Sequence, residues 1–299
     1  MKKKTITLVG GSGFLAKYCI SELLKSGHRL RILCRNPHLA GKIRMMGSPD
    51  QLDIVKGNIS SKSQLKQCID GSDIVINFVG ILFESGTQTF EKCHSIGPKN
   101  IAEICTEYQV KQFIHFSSIG ADKNSDSKYQ VSKGLGEENI REILPSATIL
   151  RPSIVFGPGD GFFTVQSKLV KSLPIVPLFS NNKYQCVYVA DIATAIIKII
   201  EANDTQGKTF EFGGPDIFTL KEIYQLILKS LNIKRLILPV PLSFANFAAL
   251  VMKPLPNPLI TFDQVKLLKK DNVTTSEEHT LESLGIQPKS ARDIVPTYL

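Results

Sequence analysis

Short apolar runs and stretches of helical periodicity alternate through the first half of the chain. Thr5–Val9 is an apolar run closed by glycines, and a run so bounded predicts a buried strand. Phe14, Leu15, Tyr18, Cys19, Leu23 and Leu24 follow at helical spacing, and Gly27 ends them, as a glycine past a helix C-terminus commonly does. Leu30–Cys34, Leu52–Val55, Asp73–Val79, Gln112–Phe116 and Ala147–Val155 predict further strands. Asp73–Val79 is nearly all apolar, the mark of a strand buried on both faces. Helices are predicted over Ser63–Ile69, Gly97–Tyr108 and Lys128–Ile143.

This alternation predicts an α/β fold, a Rossmann-type doubly wound parallel sheet with right-handed crossovers. Ligands of such sheets sit beyond the carboxyl ends of the strands, at the switch point. After Gly157 prolines and glycines become frequent. Val187–Val189 and Asp191–Ile200 add one more strand–helix unit, with Asp191 expected at the N-cap, and Thr219-Leu-Lys-Glu222 predicts a helix opened by a capping box. The expected division is a nucleotide-binding domain over 1–157, to which 186–204 returns, and a smaller C-terminal α/β lobe over 158–299 covering the cleft.

Charge narrows the partners only a little. Lys and Arg number 36 against 27 acidic side chains, a formal net charge of +9, which suits a phosphorylated ligand or an anionic surface. No basic block exceeds Lys2–Lys4 and no nucleic-acid-binding module is present in the sequence, so nucleic acid is not expected as a partner. The six cysteines form no Cys-x-x-Cys pair, so neither a metal site nor a disulfide framework is expected. Glycines at 10, 11 and 13 interrupt the apolar run after Lys2–Lys4, and no apolar stretch reaches the roughly 18 residues of a spanning helix. The expectation is a cytoplasmic protein without signal or transmembrane segment.

Gly10-Gly-Ser-Gly13-Phe-Leu-Ala16 lies between a predicted strand and a predicted helix. That context turns a common spacing into a dinucleotide-binding signal: Gly10 permits the tight turn, Gly13 the close approach of pyrophosphate, Ala16 the packing of helix on strand. A carboxylate about 20 residues further on normally binds the ribose of NAD. No acidic residue lies between Glu22 and Asp50, whereas Lys25, Arg29, Arg31, Arg35, Lys42 and Arg44 do. Arg35, at the end of the second strand, can grip a 2′-phosphate in bidentate fashion. NADP(H) is therefore the expected cofactor, with NAD(H) the alternative.

Tyr129-Gln-Val-Ser-Lys133 places a phenol and an ammonium on one face of a helix just after the fifth strand. A neighbouring ammonium favours the phenolate, which predicts a lowered Tyr129 pKa suited to proton transfer.

With these motifs the chain resembles the short-chain dehydrogenase/reductase superfamily in its extended and atypical, epimerase/dehydratase-like branches. The resemblance also rests on Asn77-Phe-Val-Gly80, Phe116-Ser-Ser118, Arg151-Pro-Ser-Ile-Val-Phe-Gly-Pro158 and Val187-Tyr-Val-Ala-Asp-Ile-Ala193. It implies that Gly10, Gly13, Phe14, Leu15, Arg35, Asn58, Phe78, Val79, Gly80, Ser117, Tyr129, Lys133, Pro152 and Ser153 bind the cofactor. Phe78–Gly80 would pass under its adenosine half, Asn58 would stand for an aspartate near the adenine, and Pro152 and Ser153 would line the nicotinamide side. Two positions depart from the family pattern. Ile119 stands at the catalytic Ser/Thr position, and His94 stands where a structural Asn is usual. Only Tyr129 and Lys133 remain of the usual catalytic set, with Ser118 a substitute.

A subgroup with this partial set is the dehydrogenase-like accessory subunit of respiratory complex I and its bacterial relatives. The chain is similar to it in Val75-Ile-Asn-Phe-Val-Gly80, Gln112-Phe-Ile-His115, Gly136-Glu-Glu-Asn139 and Pro296-Thr-Tyr-Leu299. That likeness implies a cofactor held for structure, in a bacterial protein peripheral to a membrane-associated respiratory complex on the inner face of the cytoplasmic membrane. The alternative is an active NADP-dependent reductase or nucleotide-sugar epimerase/dehydratase using Tyr129 and Lys133. The apolar segment Leu236–Met252 is expected to be an ordinary helix of the C-terminal lobe, the other possibility being a surface on a membrane or partner assisted by Lys253, Lys266, Lys269 and Lys270. His115, in an apolar strand, is expected to be a satisfied core residue.

Overall fold

The computed structural model describes residues 3–202, 204–253, 255, 258 and 260–299, with Leu39 described by its backbone alone. Seven parallel strands form the central sheet. In chain order they begin with β1 (Thr5–Val9), β2 (Arg29–Cys34), β3 (Leu52–Lys56), β4 (Ile74–Asn77), β5 (Gln112–Phe116) and β6 (Thr148–Pro152). The helices between them are α1 (Phe14–Lys25), α2 (Gly41–Arg44), α3 (Lys62–Ile69), α4 (Gly97–Glu107) and α5 (Lys128–Ile143). The remaining elements are β7 (Val155–Phe156), α6 (Phe163–Ser172), β8 (Ile175–Leu178), β9 (Lys183–Tyr184), β10 (Val187–Tyr188), α7 (Val189–Glu201), β11 (Thr209–Phe212), β12 (Phe218–Thr219), α8 (Leu220–Ser230), β13 (Leu236–Pro239), α9 (Leu242–Met252), α10 (Phe262–Leu267) and α11 (Ala291–Ile294).

The sheet runs β11-β6-β5-β4-β1-β2-β3. It reverses between β1 and β4, which puts the switch point beyond Val9 and Asn77. Side chains alternate across it as the pleat demands. Ile6, Leu8, Leu30, Ile32, Ile74 and Ile76 face α1 and α7. Val9, Leu33, Val75 and Phe113 face α3, α4 and α5. The seventh strand, β11, lies beyond the 186–204 stretch expected to return to this body. Helix α7 begins at Val189 with Tyr188 as its N-cap, not at Asp191. The Asp191 carboxylate is buried in the first turn and accepts from the Lys289 N–H at 2.7 Å, which ties the C-terminal segment to this helix.

Helix α4 is preceded by a π-helical stretch, Glu91–Ile96, which carries His94. A Cβ on Gly136 would sit 1.9 Å from the His94 carbonyl oxygen, so only glycine lets α5 approach this stretch. A separate apolar cluster holds the C-terminal lobe together around Phe156, Phe163, Phe218, Ile223, Ile227 and Val295.

The Leu236–Met252 segment departs from the ordinary-helix expectation. It forms β13 and α9, and α9 buries only Ala245 and Ala249. Phe244, Phe247, Leu250 and Val251 are exposed. Among the described residues no helix is long and apolar enough to cross a membrane.

Candidate functional site

The glycine loop sits at the switch point. Gly10 takes φ +84°, and a Cβ there would fall 2.7 Å from Val79 Cγ2. A Cβ on Gly11 would fall 2.5 Å from Ile32 Cγ2. These two glycines are therefore set by close approach to β2 and to the segment after β4. Gly13 differs. A Cβ there would have only the Gly10 carbonyl as a neighbour, at 3.6 Å, so the space above it is left open by the protein. Gly13 is also the N-cap of α1, which no side chain caps and whose first turn holds no acid. Open space over an uncapped helix N-terminus fits a phosphate. Ala16 is fully buried beneath the loop, Leu15 packs on the core, and Phe14 meets Tyr18 edge-on.

Beside the loop, the Phe78 N–H donates to the Val9 carbonyl at 2.9 Å, and the Phe78 ring stacks on Phe116 at 4.8 Å. Asn77 Oδ1 accepts the Val79 N–H at 3.1 Å, so its amide donates to His115 Nδ1 at 3.0 Å. The expectation for His115 holds only in part: it is buried in the core, but its Nε2 has no hydrogen-bond partner.

Lys133 is buried. Its Nζ donates to the Phe116 carbonyl at 3.1 Å and lies 3.5 Å from where a Gly80 Cβ would be. Burial pushes its ammonium down to about 8, with Glu137 and Cys93 pulling the other way. Tyr129 does not follow the expectation of a lowered pKa. Burial pushes its phenol up, and only the neighbouring Ser118 hydroxyl, close by but without hydrogen-bond geometry, pulls against that. The ammonium of Lys133 donates to the Phe116 carbonyl and makes no hydrogen bond to the phenol. Ser117 and Ser118 are held at the mouth of β5 with both hydroxyls buried and unpartnered. Two orphaned hydroxyls at the carboxyl edge of the sheet fit a ligand with polar groups, because a buried hydroxyl left unpaired costs on the order of 1–3 kcal/mol. Ile119 is buried, its N–H donating to the Pro152 carbonyl at 3.2 Å, and its side chain offers no donor.

His94 bonds at both ring nitrogens. Its Nε2 accepts the Ile81 N–H at 3.0 Å. Its Nδ1 therefore carries the proton and donates to Ser132 Oγ at 2.9 Å, and Ser132 passes its own proton to the Tyr129 carbonyl at 2.8 Å. Burial, with Lys133 nearby, pushes this imidazole down to about 2, so it stays neutral. The ring packs edge-on to Tyr129 and stacks on Phe90. The departure at His94 thus has a positioning role: it ties the 80s loop to the helix that carries Tyr129.

The basic window divides by partner. Lys25 pairs with Glu22, and Arg29 with Asp53. Arg31 donates to the Cys68 and Asp70 carbonyls at 2.7 Å, closing the C-terminus of α3. Arg35 is exposed just past β2 and forms no hydrogen bond or ion pair among the described residues. Asn58 Oδ1 accepts the Ser60 N–H at 3.1 Å in a local turn. Pro152 ends β6. Ser153 Oγ donates to Asn272 Oδ1 at 2.6 Å, so its hydroxyl is engaged by the C-terminal lobe.

Asp263 escaped sequence reasoning. From α10 its carboxylate accepts from Ser127 Oγ at 2.8 Å, the Lys128 N–H at 2.8 Å and the Tyr129 N–H at 3.0 Å. It caps the Tyr129 helix from a distance of 134 residues along the chain, and no local spacing could announce it. Next to it lies a cavity of about 360 Å³ bordered by Phe83, Glu84, Phe90, Lys128, Lys253 and Phe262.

The glycine loop, the Tyr–Lys helix and the strand order agree with the family match that decides the kinship. The chain belongs to the NAD dependent epimerase/dehydratase family. The family model matches residues 6–213, which takes in the sheet with all seven strands. The chain is 30% identical over 286 residues to the mouse mitochondrial NADH dehydrogenase [ubiquinone] 1 alpha subcomplex subunit 9, covering 94% of this chain and 76% of that protein. It is 29% identical over 301 residues to the NADH-ubiquinone oxidoreductase 40 kDa subunit of Neurospora crassa, covering 99% and 78%. The ceramide reductase of Caulobacter vibrioides is 26% identical over 210 residues, covering 67% and 65%. Among solved structures, MoeE5 in complex with UDP-glucose and NAD has the same fold, with TM-score 0.74 and 15% identity over 98% of this chain and 97% of that one. Among the described residues of this epimerase/dehydratase-family chain no His, Cys, Asp or Glu cluster could hold a metal ion.

Proposed function

We propose that this protein is an NADP(H)-holding accessory or assembly subunit of a respiratory complex of the complex I type, peripheral on the inner face of a bacterial cytoplasmic membrane, with the cofactor held for structure. The observation that carries the reading is the contrast within the site. The glycine loop keeps its form, while two positions that would serve proton transfer are unfavourable for it: Ile119 offers no donor, and burial pushes the Tyr129 phenol up. A general base works best with a pKa near the working pH, and a missing carbonyl-polarising donor costs on the order of 10²–10³ in rate. Likeness to the mouse complex I subunit along 94% of the chain supports the same reading.

In this reading Gly10, Gly13 and the first turn of α1 hold the pyrophosphate, and Phe78–Gly80 border the adenosine half. Arg35 takes the 2′-phosphate. Lys133 and Tyr129 hold the nicotinamide ribose. The nicotinamide, when bound, supplies hydride-transfer chemistry. Here Lys133, anchored by one bond to the Phe116 carbonyl with two donors left for the ribose, serves binding rather than activation of the phenol.

The test has two arms. Purified protein should bind NADPH tightly, turn over no carbonyl or nucleotide-sugar substrate, and be recovered with a respiratory complex. Arg35→Asp should weaken NADPH by about 10–100-fold, the worth of a charge-assisted contact, and leave NADH nearly unchanged. Steady turnover abolished by Tyr129→Phe would overturn the structural reading. It would favour the second one, an active NADP-dependent reductase or nucleotide-sugar epimerase/dehydratase. The observation favouring that alternative is the orphaned Ser118 hydroxyl beside Tyr129, which could polarise a carbonyl in place of Ile119.

A further inference from the structure

Helix α9 is turned inside out. Its inner face carries Ala245 and Ala249, the small residues, while Phe244, Phe247, Leu250 and Val251 are 60%, 65%, 56% and 59% exposed. The exposed side chains recur at i, i+3, i+6 and i+7, one stripe of the helix. The β8–β13 ribbon that precedes α9 repeats the pattern. Leu236 pairs with Ile175, and both are exposed, as is Leu238 on the same face. Large apolar surface of this kind marks an interaction site.

The charge around it indicates the occupant. From Gly161 to Ala190 and from Ile223 to Phe262 the chain carries no Asp or Glu. The same segments, which supply α6, both strands of the ribbon, most of α8 and all of α9, carry Lys168, Lys171, Lys183, Lys229, Lys234, Arg235 and Lys253. Of these, only Arg235 uses its charge internally among the described residues, donating to the Leu173 and Lys234 carbonyls. A second copy of the chain would bring two sets of these basic, acid-free segments together and repel. At 11 residues α9 is about 16 Å long, too short for a hydrocarbon core of about 30 Å, but suited to lie in the plane of an interface with aromatics down and lysines at headgroup level.

We infer that the α9 stripe, with the exposed face of the β8–β13 ribbon, docks this protein on an anionic lipid surface. Lys266 and Lys270, named for the surface alternative in the sequence, are not part of this face. Lys266 donates to the Asp126 carbonyl at 2.8 Å and Lys270 to Ser125 Oγ at 3.2 Å, so both turn toward the loop before α5. The inference is independent of the cofactor reading, since the measurement below needs neither NADPH nor a respiratory complex.

The experiment is co-sedimentation of the purified full chain with vesicles of phosphatidylcholine alone and of phosphatidylcholine with phosphatidylglycerol, at low and high salt. The anionic vesicles should bind at least about tenfold more tightly, with the difference shrinking at high salt. Phe244→Ser with Phe247→Ser should cut vesicle binding by at least about tenfold. Lys171→Glu with Lys234→Glu should remove the preference for anionic lipid. All these side chains are exposed, so thermal unfolding of the variants should match the parent and show them folded. Equal binding to both vesicle types, or binding undiminished in the phenylalanine variant, overturns the inference. So does no vesicle binding with retention of the chain in a detergent-extracted protein complex, an outcome that assigns the face to a protein partner.

Discussion

Helices α7 and α9 are both rich in apolar residues, and they meet opposite fates. In α7 the large side chains Ile192, Ile196, Ile199 and Ile200 point inward and are fully or nearly fully buried between α1 and the sheet. In α9 most large side chains point outward, and the fully buried residues are alanines, with Leu242 half-buried beside them. The difference lies in where size sits around the helix, not in how much apolar surface it has. The sheet domain uses bulk to fill its core. The C-terminal lobe uses small residues to seat a helix closely and leaves the bulk free for something else.

That contrast can be broken or sharpened by measurement. Ile196→Ala should destabilise the fold by about 2–5 kcal/mol, the cost of emptying a packed core site, read as a lower denaturant midpoint. A loss of less than 1 kcal/mol (about a fivefold change in the unfolding constant) would mean that the α7 interface is loosely packed and the contrast weaker than drawn. Lys133 gives the next effect. Its folded-state pKa of about 8 lies below the usual 10.5, so between those values the unfolded chain holds a proton that the folded chain has released. Stability from this group therefore rises as pH climbs from about 8 to 10.5, and the burial penalty is fully present below 8. Lys133→Met should abolish that rise, seen as a flatter dependence of stability on alkaline pH; an unchanged dependence would place the ammonium in water. Asp263→Asn comes third. It should cost about 0.5–2 kcal/mol, the range for losing a helix cap, and should increase hydrogen exchange at the start of α5 before it affects the sheet. Phe247→Ala should be the smallest, within about 0.5 kcal/mol. A larger loss would mean that the phenylalanine packs inward and that the lobe is built like the sheet domain.

The strands from β1 to β6 were legible because each carries a short apolar run, buried on both faces in the middle of the sheet and half-buried at the β3 edge, a pattern that needs no partner to be recognised. The glycine loop was legible for a similar reason: its spacing encodes backbone geometry directly, and Gly10 at φ +84° shows the demand. β11 was not. Thr209–Phe212 is short and includes Glu211, and its pairing with β6 depends on chain that returns from elsewhere. The site was half legible. Tyr129, Lys133 and Ser118 share one neighbourhood, as their motifs implied, but the sign of the Tyr129 shift was not readable. Spacing puts the ammonium near the phenol, while burial and the Phe116 carbonyl decide what the ammonium does. His94 looked like a defect in a motif and is a structural tie. Asp263 had no local signature at all.

The amino-acid sequence by itself determined the parallel sheet, the phosphate cradle and the Tyr–Lys helix. Each is specified by periodicity or spacing within a few residues, and such local rules operate before any distant part of the chain is in place. Tertiary structure alone decided the rest: the protonation of Tyr129 and Lys133, the capping of their helix by Asp263, and the outward face of α9. These depend on desolvation and on partners more than a hundred residues away. Those quantities exist only once the chain has closed on itself.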